Sequence, residues 1–275
     1  MSVAGGLDLA FERIARVKGE SLQIFSRNQR QWRSPELTEE AVERFRAAWE
    51  ENGRMPVASH ASYLVNLATS DDDLAAKSVE TVADELIRAE RLGASYVVLH
   101  PGSYGNGGLL AGMERFTRNL DRAITLSRTE TVMTLVENTA GQGAGLGWRF
   151  EQLAYILSNS GHSSRLGVCF DTCHAFAAGY NIGAPDEYLR TFDQFDSLIG
   201  LDRLKFFHIN DSKRELGSRV DRHWHIGKGM IGLEGFRLLV NDPRFANHPM
   251  TLETPKGKDL AEDKANLKTL RSLLT

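Results

Sequence analysis

Cysteine is nearly absent from this chain. Of 275 residues only Cys169 and Cys173 carry thiols, and they lie too close together to form a disulfide framework. Their segment reads as a buried strand running into a loop, with Cys169 as a small core hydrophobe, which suits a reducing cytoplasm. Long hydrophobic runs are missing too. No stretch approaches the ~18 consecutive apolar residues of a membrane span, and Asp8 and Glu12 stand where a secretory leader would have its apolar stretch. A cytoplasmic protein without membrane contact is expected. There is no low-complexity tract and no linker rich in Pro, Gly or Ser, so nothing marks a domain boundary. Basic excess is also lacking: the formal net charge is −3, which taken alone argues against a nucleic-acid partner.

The distribution of charge says more than its sum. Acidic residues concentrate between Glu36 and Glu51 and between Asp71 and Glu90, whereas two loop segments are basic: Arg27, Arg30 and Arg33, then Lys213, Arg214, Arg219 and Arg222. A content of 41% hydrophobic and 25% charged residues is ordinary for a soluble core, and the length fits one (β/α)₈ barrel of about 250 residues. Short apolar, β-branched or aromatic runs alternate with helical stretches. Strands are expected at Leu22–Phe25, Pro56–Ser59, Tyr96–His100, Thr131–Glu137, Leu166–Asp171, Lys205–Asn210 and Pro249–Glu253. Thr38 reads as an N-cap ahead of Ala41, Val42, Phe45 and Trp49, with Asn52-Gly53 as the stop, and Gly93 ends a helix that begins near Asp71. The expected fold is an α/β (β/α)₈ TIM barrel filling residues 1–275 as one domain. Only seven strands can be counted, because Met1–Gly6 leads straight into a helical pattern (Leu7, Ala10, Phe11, Ile14, Val17). The first strand is therefore expected to be missing or truncated.

Six of the seven strand runs deliver a metal-ligating residue type at their ends: His60, His100, Glu137, Asp171, His208 and Glu253. Three more candidates, His174, Asp221 and His223, follow in the loops beyond. A barrel gathers its strand ends at one rim, where residues distant in sequence become neighbours. Nine nitrogen and oxygen ligands are too many for one ion and suggest two or three. A lone strand histidine is more often a satisfied core residue, but buried carboxylates with no cation to meet them would be costly. On an extended segment Asp221 and His223 project to one side and can chelate one ion; His225 with His223 is the rival pair. Cys173 is a further alternative ligand, less favoured than a core role. His162 and His248 read as bystanders.

Three loops complete the inventory. Ser26–Arg33 mixes cations, amides and an aromatic, which suits a nucleic-acid backbone or simply a solvated face. Ser62-Tyr63-Leu64 follows His60 and reads either as a core plug or as a wedge entering a base stack. Gly141, Gly143, Gly145 and Gly147 permit backbone N–H groups to approach a phosphate, or mark a mobile loop.

Asn28-Gln29-Arg30-Gln31-Trp32, Ser62-Tyr63-Leu64, His100-Pro101-Gly102-Ser103, Val136–Gly143, Asp171–Phe176, Ser218–His223 and Leu252-Glu253-Thr254 together resemble endonuclease IV, the metal-dependent abasic-site endonuclease family of base-excision repair. The resemblance covers nearly the whole chain. It implies a barrel with three zinc ions, manganese being an alternative at part of the site. By it, His60, His100 and Glu137 hold one ion, Glu137, Asp171, His208 and Glu253 the second, and His174, Asp221 and His223 the third. It implies Glu137 and Glu253 as catalytic residues in a zinc-hydroxide mechanism that cuts 5′ to the lesion and leaves a 3′-hydroxyl and a 5′-deoxyribose phosphate. It implies a monomer acting on double-stranded DNA with abasic sites, an abasic nucleotide being cheap to extrude. Arg30, Tyr63 and Leu64 would fill the gap and Gln31 would contact the strand. Family members begin with a short apolar strand ahead of a Ser-x-Ala-Gly-Gly stretch, so Met1 is expected to be an internal methionine, and an added upstream strand to raise stability and activity. Two other readings stand beside this one. A metal-dependent sugar isomerase or epimerase on the same barrel leaves the Asn28–Trp32 and Tyr63–Leu64 loops without a reason; a non-catalytic barrel that binds damaged DNA would fit the missing strand.

Overall fold

The computed structural model describes residues 1–275 as two compact units. The first comprises Met1–Val136 with Tyr155–Gly167, the second Glu137–Ala154 with Val168–Thr275.

In the first unit, helix α1 (Leu9–Ala15) precedes β1 (Leu22–Ile24), which is followed by β2 (Val57–His60), β3 (Tyr96–Leu99) and β4 (Met133–Glu137). All three pairings are parallel, with Leu22 opposite Val57, Ala58 opposite Tyr96, and Tyr96 opposite Met133. The strands are short apolar runs buried on both faces, the pattern of parallel sheets covered by helices. Helix α2 (Glu39–Glu51) starts where the Thr38 hydroxyl accepts the Ala41 amide at 3.2 Å. Helix α3 (Asp72–Leu92) is capped by the Asp71 carboxylate and stopped by Gly93 at φ 83°, a left-handed position that costs glycine nothing. Helix α4 (Leu109–Ser127) leads to β4. The core of this unit is mainly aliphatic: Val57, Ala58, Val97, Val98, Leu99 and Leu135 are fully or almost fully buried.

The second unit takes over at Glu137, the last residue of β4. Helix α5 (Phe150–Asn159) lies between β4 and β5 (Leu166–Asp171). From Val168 onward β5 belongs to the second unit and pairs in parallel with β6 (Leu204–His208) across a bulge at Val168/Cys169. Helix α6 (Thr172–Ala178) and helix α7 (Pro185–Leu198) join these two strands. A two-residue hairpin, β7 (Asp211–Ser212) with β8 (His223–Trp224), follows; then come α8 (Gly232–Val240), β9 (Met250–Thr251) and α9 (Ala261–Ser272). β9 pairs in parallel with β6. This core is aromatic: Phe150 stacks on Tyr180 at 3.8 Å, and Phe192 and Phe207 meet Phe245 at 4.7 and 5.0 Å.

Several strands end earlier than the sequence suggests. β3 stops at Leu99, leaving His100 one residue beyond, ahead of Pro101, which has no N–H to continue a ladder. β6 ends at His208 because the Asn210 amide donates to Thr172 Oγ1 at 2.8 Å instead of to a strand. β9 is only two residues long, and the Glu253 amide turns to Asn210 Oδ1, also at 2.8 Å. The hairpin of β7 and β8 has no counterpart among the strands expected from the sequence. Residues 1–21 contain α1 and no strand.

Candidate metal centre

Within the second unit, strand register does most of the assembly. Asp171 pairs with His208 and His208 with Thr251, so two polar strand ends lie side by side and Glu253 follows two residues past Thr251. One atom of each of Glu137, Asp171, His208 and Glu253 falls within 4.8 Å of the others. His208 Nδ1 stands 3.1 Å from Glu137, 3.3 Å from Glu253 and 3.9 Å from Asp171. Glu137, Asp171 and His208 are wholly buried.

β5 runs into α6 without a loop because Asp171 is itself the cap: its Oδ1 accepts the His174 amide at 2.7 Å. That bond fixes the i, i+3 spacing and brings His174 into a second group. His174 Nε2 lies 3.2 Å from Asp221 and 3.4 Å from His223 Nε2, and His223 Nε2 lies 3.3 Å from Asp221. Asp171, His174 and His223 form one ligand-distance group; Cys173, Asp221 and His223 form another. Burial, together with the negative charge of Asp171, pushes the Cys173 thiol up to about 12. Burial does the same to Cys169. Both therefore stay protonated near neutrality.

The donor set suits a cation. His174 Nδ1 faces Asn138 O at 2.9 Å and His223 Nδ1 faces Glu253 O at 3.3 Å. Donation from Nδ1 to a carbonyl leaves Nε2 as the lone-pair nitrogen, the arrangement of ligating histidines. Two such lone pairs 3.4 Å apart repel unless positive charge lies between them. Burial would depress the basicity of His174, yet Asp171, Asp221 and Glu137 hold it well above the ordinary imidazole range. His208 behaves alike: burial opposes its charge, and the negative groups around it, Glu253 and Glu137 among them, override that. The cluster demands positive charge, which protons or metal ions can supply.

Two residues that orient these ligands were not singled out in the sequence. Asn210 donates from Nδ2 to Asp171 Oδ2 at 2.7 Å while its Oδ1 accepts the Glu253 amide. Asn138 brackets Asp171 from the other side, donating to its carbonyl at 3.1 Å and accepting its amide at 2.7 Å. The signal was their place one or two residues after a strand-end ligand. The loop bearing Asp221 is anchored as well. The Asp221 amide donates to Gln142 Oε1 at 3.3 Å, and Arg219 stacks 3.9 Å over Trp148. His225 stands apart, 3.3 Å from Asn266 and against Trp224. His248 contacts Leu204 O and His162 contacts Thr125.

In the first unit His60 and His100 meet edge-on with ring centroids 5.4 Å apart. His60 Nδ1 lies 2.8 Å from Ala61 O, which again leaves Nε2 as the lone-pair nitrogen. Tyr63, 57% exposed, leans on both rings at 5.4 and 5.8 Å. Arg30 and Gln31 are exposed and Leu64 is half-buried. The Ser62 hydroxyl donates to Gln29 O at 2.9 Å and so links the Tyr63–Leu64 segment to the loop that carries Arg30.

A family model described as a xylose isomerase-like TIM barrel matches residues 11–273. A probable endonuclease 4 of Chloroflexus aggregans is 50% identical over 274 residues, spanning 100% of this chain and 96% of that protein. Another, of Trichlorobacter lovleyi, is 46% identical and spans 99% of this chain and 97% of that protein. Among solved structures, endonuclease IV from Thermus thermophilus gives a TM-score of 0.89 at 40% identity, covering 99% of this chain and 96% of the other. A D-tagatose 3-epimerase-like protein reaches 0.72 at 18% identity, covering 98% of this chain and 95% of that one, a likeness of fold alone. The fold is thus a TIM barrel, and the chain belongs to the endonuclease IV family.

Proposed function

We propose that this DNA-repair endonuclease cleaves the phosphodiester 5′ to an abasic site in double-stranded DNA, leaving a 3′-hydroxyl and a 5′-deoxyribose phosphate. Nine side chains would hold three zinc ions, with manganese able to replace part of them: His60, His100, Glu137, Asp171, His174, His208, Asp221, His223 and Glu253. The observation that carries this reading is the buried convergence of carboxylates on imidazole nitrogens in the second unit, all N/O donors of the kind zinc-class ions take. Bound zinc-class ions supply Lewis acidity and bring the pKa of a coordinated water to about 7. The chain's own part is to hold its donors in place. Asn210 and Asn138 fix Asp171, and the Asn210 side chain also fixes the backbone of Glu253. Glu137 and Glu253 are the carboxylates assigned to the reacting centre. Arg30, Tyr63 and Leu64 would fill the space beside an extruded abasic nucleotide, and Gln31 would contact the strand. An exposed aromatic propped by two histidines suits a wedge. We further assign the chain to the cytoplasm, as a monomer whose residues 1–275 act as one catalytic domain.

Nicking of a duplex with one tetrahydrofuran abasic analogue, measured before and after chelation, tests this reading, together with elemental analysis of protein purified without added metal. The expected results are about three zinc-class ions per chain, nicking lost on chelation, and recovery with zinc. A stoichiometry near one would sink the trinuclear site. Binding of the lesion duplex without nicking by the metal-replete chain would leave a non-catalytic binder.

A further inference from the structure

We propose that Arg27 and Arg88 are positioning residues for DNA recognition: they clamp the backbone of the loop bearing Arg30, Gln31 and Trp32 to helix α3. The inference rests on the endonuclease reading of that loop. Between Ile24 and Glu39 the chain forms neither helix nor strand, so its carbonyls need other donors. Two arginines supply them. Arg27 donates to Trp32 O at 2.5 Å and to Thr81 O at 3.4 Å. Arg88, from α3, donates to Pro35 O and to Ser26 O, the latter at 3.5 Å. The loop is thus held at residues 26, 32 and 35, leaving Asn28, Arg30, Gln31 and Arg33 exposed between the fixed points.

The clamp is itself ion-paired and buried. Asp84 pairs with both guanidiniums, at 3.0 Å from Arg27 and 2.8 Å from Arg88, and the two arginine side chains are only 5% and 7% exposed. The Ser26 hydroxyl donates to Glu85 at 2.6 Å, adding a further tie to α3. Packed hydrophobic residues of similar volume would often be as stable as a buried ion pair. What apolar residues cannot do is grip carbonyl oxygens at chosen points along an irregular loop, and an arginine fork can. The Ser62 bond to Gln29 O passes the same order to the Tyr63 segment. Loop order fixed before binding lowers the entropy lost on DNA capture, which appears as affinity and not as the rate of bond cleavage.

The test compares wild type with Arg27→Ala and Arg88→Ala, reading kcat and KM for the abasic-analogue duplex, metal content, and hydrogen exchange of amides 28–33. The expected result is a KM raised about tenfold, kcat within about twofold, unchanged metal content, and faster exchange confined to the loop. Arg88→Lys keeps the charge but loses the fork and should fall between; it is also the variant to read if Arg88→Ala does not fold. An unchanged KM with an active wild type would overturn the clamp. So would accelerated exchange throughout α3 with kcat and KM both impaired, which marks a merely structural role. A wild type that fails to nick overturns the endonuclease reading instead, and loop exchange then decides the clamp on its own.

Discussion

In the first unit arginine guanidiniums hold backbone carbonyls, whereas in the second carboxylates and imidazoles crowd one another. Around Arg27 and Arg88 each cation has an ion-pair partner, Asp84 bridging both, and burial pushes the neighbouring Glu85 carboxyl up to about 7. Around His208 and His174 negative groups gather instead. Glu137, Asp171 and Glu253 converge on one ring nitrogen, and two Nε2 atoms face each other beside Asp221. The first arrangement spends its cations on backbone carbonyls and serves geometry. The second gathers negative charge around its imidazoles, and ionisable groups perturbed in this way are where chemistry concentrates. The interiors match these roles. Aliphatic strands support exposed, irregular loops in one unit, and a phenylalanine core backs the strands β5, β6 and β9 that carry the candidate ligands in the other.

The sharpest way to break this contrast is Glu253→Gln set against Arg30→Ala and Tyr63→Ala. Loss of the Glu253 carboxylate should lower single-turnover cleavage by more than about a hundredfold with DNA binding by fluorescence anisotropy nearly intact. The loop variants should do the reverse and weaken binding by about tenfold. Equal binding losses in all three variants would erase the division between the units.

A smaller effect is expected from Asn210→Ala, which leaves Asp171 Oδ2 and the Glu253 amide without their partner. Metal affinity by competition with a chelating dye, or activity, should fall by about ten- to a hundredfold. Wild-type affinity in that variant would show that strand register alone places the ligands.

A pH-dependent effect on stability, without loss of cleavage, is expected in the first unit. Burial pushes the Glu85 carboxyl up to about 7, with Ser26, Arg27 and Arg88 opposing it. A carboxyl whose folded pKa is raised adds stability that is fully present below its unfolded value near 4.5 and is lost as pH rises through about 7. Glu85→Gln should therefore flatten the fall in stability between those two pH values, by about 3 kcal/mol at most. Chemical denaturation at pH 5 and pH 8 measures it. The same pH slope in both proteins would assign the titration to other groups.

Much of the frame could be read along the chain. The apolar runs around Val97 and Val168 announced strands, Thr38 and Asp71 announced helix starts, and Gly93 a helix stop, because each of these signals is local. Strand ends were less legible. β6 and β9 stop where Thr172 and Asn210 take over their backbone groups, and those partners lie far away in sequence. The β7–β8 hairpin escaped notice for a similar reason, since two residues per strand carry no periodicity.

For the site, the sequence by itself determined which residue types stand at the strand ends: His60, Glu137, Asp171 and His208 close their strands in the structure. It also determined the family, through motifs that run in order along the chain. Only the tertiary structure decided the environment of each group. That His208 faces three carboxylates, that Asp171 caps the helix presenting His174, and that Asn210 steadies both Asp171 and Glu253 depend on register between strands and on burial. The same holds for the arginine clamp, whose donors and acceptors lie as many as 62 residues apart. Electrostatic partnership falls off with distance through space and is indifferent to distance along the chain, so the sequence shows the charged groups but not which of them meet.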